Sequence, residues 1–438
     1  MSGIAQLLLK SGFRVSGSDL KENYNTQMLS SLGGKIFLGH RAQNISEQDV
    51  VVYSSAITED NPELRQAKML GIPLMKRAQA LAELMQQKTA ITVAGSHGKT
   101  TATSLISFML LEAGLHPSVA IGGILNNIQT NACLGSGEFF VAEADESDGS
   151  FLSYTPKYSV ITNIDHEHLD YYHDFSKVLD TFGLFIKRTL PGGCVFACAD
   201  DAHLWKIMRD YAGKRVFFGL DDRADVCAKN IVFHGLLSEF DGYFKDKFIS
   251  HFHLALGGRH NVSNALAVIG LGLELGIDLK YLRSSLAEYK GAGRRLEIKF
   301  KSDKYLVIDD YAHHPTEIRA TLAAIANLDV KRKIVVFQPH RYSRTQLLLD
   351  DFAKSFTQAD YLVITDIYAA SEQPIAGVNA QELLKKIKEF DPHKEVVYLA
   401  KDNILPHLLG MIRDGDLVIH LGAGDIVRVS DALAKELK

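Results

Sequence analysis

The stretch that most limits what this chain can become is Thr89–Thr101, TAITVAGSHGKTT. Its apolar opening, TAITVA, reads as a strand buried on both faces, the kind found in parallel sheets. The strand leads straight into Gly95-Ser96-His97-Gly98-Lys99-Thr100-Thr101. Periodic apolar residues (Leu105, Ile106, Met109, Leu110) then predict a helix that stops at Gly114. A strand, a glycine turn and a helix form the context in which a phosphate loop works. Gly95 and Gly98 can take backbone angles that would cost other residues roughly 1–2 kcal/mol each. Backbone N–H groups can then converge on a phosphate at the positive start of the helix. Lys99 can set an ammonium between β- and γ-phosphates, and the Thr100 hydroxyl can ligate Mg2+. The loop is two residues shorter than the common G-x-x-x-x-G-K-[ST] spacing. His97 is read either as a substrate contact or as a solvated loop side chain.

Around this loop, strand-like and helix-like runs alternate almost throughout, which predicts parallel α/β sheets. At about 150 residues per domain, the 438 residues argue for three domains. The expected boundaries are 1–86, 87–292 and 293–438: a Rossmann-like N-terminal domain, a central P-loop-type ATPase domain with a mostly parallel sheet, and a Rossmann-like C-terminal domain. With 46% hydrophobic and 23% charged residues the composition is globular. A net charge of −4 gives no electrostatic drive toward phosphate backbones, so no nucleic-acid partner is expected. No apolar run reaches the roughly 20 residues of a membrane span, and no signal-like segment opens the chain, so a cytoplasmic protein is expected. Four cysteines cannot build a disulfide framework; they read as small buried hydrophobes. The KRK run at Lys331–Lys333 reads as a solvated turn.

Acidic residues crowd two later strand ends. EFFVAE runs into Glu143-Ala144-Asp145-Glu146-Ser147-Asp148. Carboxylates so close repel one another unless a divalent cation or solvent intervenes, and ligands in open α/β sheets gather at strand carboxyl ends. SVITNIDHEHLDYY then brings Asn163, Asp165, His166, Glu167, His168 and Asp170 to the next strand end. Two histidines at i and i+2 suggest zinc, but a phosphate loop nearby favours Mg2+. In the first block Asp19, at the end of a strand, is read either as a ribose contact or as a solvated turn.

GSHGKTT, EADESDGSF, TNIDHEHLDYY, GGRHNVSNALA, GAGRR, DDYAHHPTEIRA, FQPHRYSRT, IYAASEQPIAGV and HLGAGDI occur in that order and span nearly the whole chain. Together they resemble the Mur ligases, and within them the alanine-adding branch. The resemblance implies one domain for a UDP-sugar, one for ATP and one for an amino acid. It also implies the reaction. ATP phosphorylates the lactyl carboxylate of UDP-N-acetylmuramate, and the amine of L-alanine attacks the acyl phosphate to give an amide and phosphate, a step in peptidoglycan precursor synthesis.

By the same resemblance Gly95, Ser96, His97, Gly98, Lys99, Thr100 and Thr101 hold ATP. Thr100 and Glu143 ligate one Mg2+, and His168 ligates a second. His260 and Asn261 meet the adenine, Asp310 the ribose, and Arg295 the phosphates. Asp19, Ser54, Ser55, Asn163, His340, Arg341 and Arg344 are implied in binding the other substrates. Lys99, Glu143, His168 and Arg295 are the implied catalytic set. Small-molecule substrates and a monomer or weak homodimer are expected. Arg294 and Arg295 also admit a plainer reading, as solvated hinge charges.

Two departures qualify the resemblance. The family opens with a strand and a glycine-rich turn ahead of the S-G-I-A segment; here Met1 falls where that turn ends. Weak UDP-sugar binding and a destabilised first domain are therefore expected. Downstream of His168 the chain reads Asp180-Thr181-Phe182-Gly183, without the lysine that many relatives carry. The alternatives are a ligase adding a recycled tripeptide to the same sugar nucleotide, or a nucleotide-binding protein without ligase activity.

Overall fold

The computed structural model describes residues 1–54 and 56–438, and these form two compact units. One gathers residues 1–229, 242–250 and 263–286; the other gathers 230–241, 251–262 and 287–438.

The first unit is built on a sheet whose central strand is Thr89–Ala94, with Phe139–Glu143 on one side and Tyr158–Ile161 on the other, all parallel. Beyond Phe139–Glu143 lies Ser118–Leu125, and beyond Tyr158–Ile161 lie Cys194–Cys198 and Lys214–Gly219. The chain leaves Thr89–Ala94 toward one edge and Tyr158–Ile161 toward the other. These two neighbouring strands thus mark a topological switch point, where α/β sheets place their ligands. Ile91 to Ala94 are wholly buried, as the apolar run requires. The Lys99–Glu112 helix is buried almost all round. Its interior hydroxyls are satisfied locally: Thr103, Ser104 and Ser107 donate to the carbonyls of Lys99, Thr100 and Thr103 at 2.8, 2.6 and 2.7 Å. Gly114 caps this helix with φ +72°.

Two features depart from the simple alternation. Thr130–Cys133 pairs antiparallel with Ser118–Leu125. Val226–His234, Leu237–Phe244 and Lys247–Leu254 follow one another at the far edge of the sheet order. Two-residue turns join them, so they run antiparallel. The second turn, Lys245–Asp246, has φ of +49° and +61°.

Near the N-terminus the Ser2–Lys10 helix lies against Thr130–Cys133, where a Cβ on Gly3 would come 3.2 Å from that of Ala132. The strands that follow form two separate parallel pairs, Ser16–Asp19 with Lys35–Leu38 and Val51–Tyr53 with Leu74–Lys76. No strand among the described residues joins the pairs.

The second unit carries a six-stranded sheet in the order Glu297–Lys301, Tyr305–Asp310, Asp416–Leu421, Arg332–Phe337, Tyr361–Ile364, Glu395–Tyr398. Only the first pairing is antiparallel. Strand alternation feeds two cores. Val335 and Phe337 pack with Ile318, Phe352 and Leu383 on one face; Ile334 and Val336 pack with Ile404, Leu408 and Leu433 on the other. Arg332 is no solvated charge: it forks onto Asp416, Nη2 to Oδ2 at 2.6 Å and Nε to Oδ1 at 3.2 Å. Cys194, Cys198 and Cys227 are buried free thiols, and burial pushes the Cys194 and Cys198 thiols up to about 12.

Candidate active site

The phosphate loop leaves the central strand at its carboxyl end. Gly95 and Gly98 take φ of +131° and +82°, angles that favour glycine. A Cβ on Gly95 would fall 2.1 Å from Thr162 Oγ1, and one on Gly98 2.8 Å from Asn264 Oδ1. The neighbouring strand end fixes the loop. Ser96 N–H donates to the Asn163 carbonyl (3.0 Å), and Asp165 N–H donates to Ser96 Oγ (2.8 Å). The Asn163 side chain grips both sides of His97, its Oδ1 accepting from the backbone N–H at 2.8 Å and its Nδ2 donating to the carbonyl at 3.0 Å. His97 Nε2 lies 2.9 Å from Asp165 Oδ2. Asn163 therefore acts on the loop itself.

Lys99 is folded back into the acidic cluster. Its ammonium donates to the carbonyls of Gly95 (2.5 Å) and Ser96 (3.2 Å) and to Glu146 Oε1 (2.9 Å). Burial alone would lower the Lys99 pKa, but the carboxylates of Glu146, Asp145 and Glu167 outweigh it and hold the amine well above its ordinary value. For Asp145, burial is likewise outweighed, by Lys99, by hydrogen bonds from Ser147 and by Arg77, whose Nη2 lies 3.2 Å away.

Glu143 ends its strand opposite Val93. A side chain at Gly122 would fall 2.6 Å from Glu143 Oε2, so a glycine there leaves room for that carboxylate. His168 follows the strand on the other side of Thr89–Ala94. It holds a left-handed φ of +57°, unusual for a non-glycine residue and a mark of functional sites. Its Nε2 lies 3.5 Å from Glu146 Oε1 and 3.8 Å from Glu167 Oε2. Burial lowers the His168 pKa, but the hydrogen bond to Glu146 and the Glu167 charge raise it further, for a net rise. Glu146, Glu167 and His168 offer ligand atoms within 4.8 Å of one another. Glu146 Oε2 is buried without a hydrogen-bond partner. This donor set of two carboxylates and an imidazole fits a divalent cation. Thr100, at the helix start, is buried with Thr101. His166, by contrast, is exposed and stacks on Phe175.

The other implied residues fall in separate places. Asp19 is exposed and accepts from Lys21 N–H at 3.2 Å; the Ser54 carbonyl accepts from Ile57 N–H at 3.0 Å. Ser55 lies outside the described residues. In the second unit, burial lowers His260 to about 4, and Asn261 donates to the Gly257 carbonyl at 2.8 Å. Asp310 is 5% exposed, with Oδ1 taken by Ala312 N–H and Thr321 Oγ1 and Oδ2 by Leu296 N–H. The two neighbouring arginines divide. Arg294 is locked onto Asp309 (3.0 Å) and the carbonyls of Gly422 (2.5 Å) and Gly424 (3.1 Å), whereas Arg295 lies over the Tyr311 ring, 4.0 Å from Glu317.

His340, Arg341 and Arg344 do converge, just past the carboxyl end of Arg332–Phe337. His340 stacks on Tyr368, and its Nδ1 lies 3.3 Å from Arg344 Nη1. Burial, then the nearby His313 and the arginines 344, 341 and 294, lowers His340 to about 3. A neutral imidazole flanked by guanidiniums suits a small carboxylate.

Glu146 and Glu167 belong to the two acidic strand ends that the sequence marks out as cation sites, where neither side chain had a role of its own. Asn264, which lies against Gly98, was not marked out; its signal is its place one helical turn after Asn261.

A phosphate loop and an acidic strand end meeting at a sheet switch point define a nucleotide-handling α/β enzyme. Residues 1–89 match the Mur ligase family, catalytic domain; 93–272 match the Mur ligase middle domain; and 294–424 match the Mur ligase, glutamate ligase domain. The chain belongs to the Mur ligase family. It is 45% identical to the UDP-N-acetylmuramate–L-alanine ligase of Geotalea uraniireducens, covering 100% of this chain and 96% of that one. It is 47% identical to the enzyme of the same name from Desulfatibacillum aliphaticivorans, covering 99% and 95%. Among solved structures, the UDP-N-acetylmuramate–alanine ligase of Thermotoga maritima superposes with a TM-score of 0.85 at 29% identity, covering 100% and 96%.

Proposed function

We infer that this protein is the ATP-dependent ligase that joins L-alanine to the lactyl carboxylate of UDP-N-acetylmuramate, releasing ADP and phosphate. The observation that carries the reading is the loop Gly95–Thr101 at the switch point, with Lys99 drawn into Glu146 beside His168. Full-length identity to alanine-adding relatives supports the choice of amino acid.

The loop's backbone donors, fixed by Asn163, receive the ATP phosphates. Lys99 leaves the Gly95 and Ser96 carbonyls to meet them, and its raised pKa keeps it charged. Mg2+ held by Thr100 and Glu143, and by His168 with Glu146 and Glu167, would offset the repulsion between ATP and the attacking carboxylate. The family pattern assigns Arg295 to the phosphates. His340, Arg341 and Arg344 bind the carboxylate of L-alanine, leaving its amine free as the nucleophile. The protein works in the cytoplasm, where ATP and the sugar nucleotide are available; no helix among the described residues is long and apolar enough to cross a membrane.

The test is phosphate release by the purified chain. It should require both UDP-N-acetylmuramate and L-alanine, and the alanyl product should appear by mass spectrometry. Release with ATP alone, or preference for a tripeptide over L-alanine, would overturn the reading.

A further inference from the structure

The antiparallel hairpins at the sheet edge carry a second group of ligand-type side chains that the ligase chemistry does not use. Strand periodicity sets His251 and His253 on one face of Lys247–Leu254, with ring centroids 5.0 Å apart. Glu239, on the adjoining Leu237–Phe244 strand, sits between them. Its Oε1 is 3.1 Å from His253 Nδ1, and its Oε2 is 3.7 Å from His251 Nε2. The three ligand atoms lie within 4.8 Å of one another. His234, from Val226–His234, brings its Nε2 to 3.8 Å from Glu239 Oε2.

We propose that Glu239, His251 and His253, with His234 in reach as a fourth ligand, form a binding site for a borderline divalent cation of the zinc type. Three arguments support this. First, bonds of about 2.0–2.1 Å in a tetrahedron put donors about 3.4 Å apart; one donor atom from each of Glu239, His251 and His253 already lies within 4.8 Å of the others, so small side-chain rotations would close them on one ion. Second, two or three imidazoles with one carboxylate select zinc-like ions over Mg2+, which takes oxygen ligands. Third, an outer support is in place. His251 Nδ1 lies 2.9 Å from Asp241 Oδ1, and Asp241 Oδ2 accepts from Asn230 Nδ2 at 2.8 Å. That contact fixes the tautomer leaving the His251 Nε2 lone pair toward Glu239, as metal-bound histidines are usually held. An ion here would staple neighbouring strands at an open edge, and the half-exposed histidines leave it accessible from solvent.

The experiment is equilibrium dialysis of the untagged, chelator-stripped full-length protein against Zn2+ with millimolar Mg2+ present, alongside thermal melts. The wild type should bind zinc and melt higher with it. The His251→Asn/His253→Asn double variant should lose one zinc equivalent and that rise, while melting like the wild type without metal. Asp241→Asn should weaken this zinc about 10-fold or more, and His168→Asn should retain it. Absence of zinc uptake by the wild type, equal uptake by the double variant, or loss of this zinc in His168→Asn would each overturn the proposal.

Discussion

Gly95→Ala puts the phosphate loop to a quantitative test. At φ +131° a side chain is strained whatever space it finds, at about 1–3 kcal/mol. The added Cβ would also sit 2.1 Å from Thr162 Oγ1 and 3.0 Å from the Asn163 backbone N and O. Thr162 cannot simply yield, because its hydroxyl donates to the His97 carbonyl at 2.6 Å. Overpacking of this kind costs a further ~1–3 kcal/mol, so the loop geometry should be disfavoured by about 2–6 kcal/mol in total. If even the lower figure falls on nucleotide binding, ATP affinity drops roughly 30-fold. Calorimetric titration with ATP, paired with a thermal melt, reads the effect. Thr162→Ala in the same chain should relieve the Oγ1 clash but leave the Asn163 contacts and the backbone strain, so affinity recovers incompletely. ATP binding by Gly95→Ala within about 3-fold of wild type would show that the cradle does not need this backbone conformation.

Three further outcomes follow from the same geometry. Lys99→Ala should lower turnover at least ~10²-fold, the loss expected when a donor to transition-state charge is removed, as steady-state phosphate release would show. Arg332→Met should destabilise the protein by about 3 kcal/mol in chemical denaturation, because it leaves the buried Asp416 carboxylate, 3% exposed, without its counter-charge and with only the Arg413 N–H still donating to it. His420 is wholly buried, and burial lowers it to about 4 against the weaker opposing pull of the Ile308 backbone and Asp431. A depressed folded value means stability that is complete above the unfolded pKa of about 6.5 and is lost as pH falls toward about 4, by on the order of 3 kcal/mol. His420→Leu should therefore flatten the denaturation midpoint between those pH values.

Much of this architecture was legible in the chain. Thr89–Ala94 reads as a buried strand because it is apolar without interruption, and the strands of the second unit carry equally unbroken runs such as KIVVFQ and DLVIHLG. The antiparallel hairpins escaped that reading because Val226–His234 and Lys247–Leu254 mix lysine, histidine and asparagine into solvent-facing positions, so no apolar run marks them. Arg332 looked like one charge in a solvated run; only the register that brings it opposite Asp416 reveals its partner. Asn264 was hidden for a related reason. It matters by lying against Gly98 from a helix far along the chain, and nothing in the sequence announces that approach.

In the proposed reaction ATP activates the sugar-linked carboxylate as an acyl phosphate before the amine attacks, and isotope tracing reads that order. With both oxygens of the lactyl carboxylate labelled as oxygen-18, each phosphate released in the presence of ATP and L-alanine should carry one labelled oxygen. Phosphate released without label, alongside normal amide formation, would rule the acyl phosphate out.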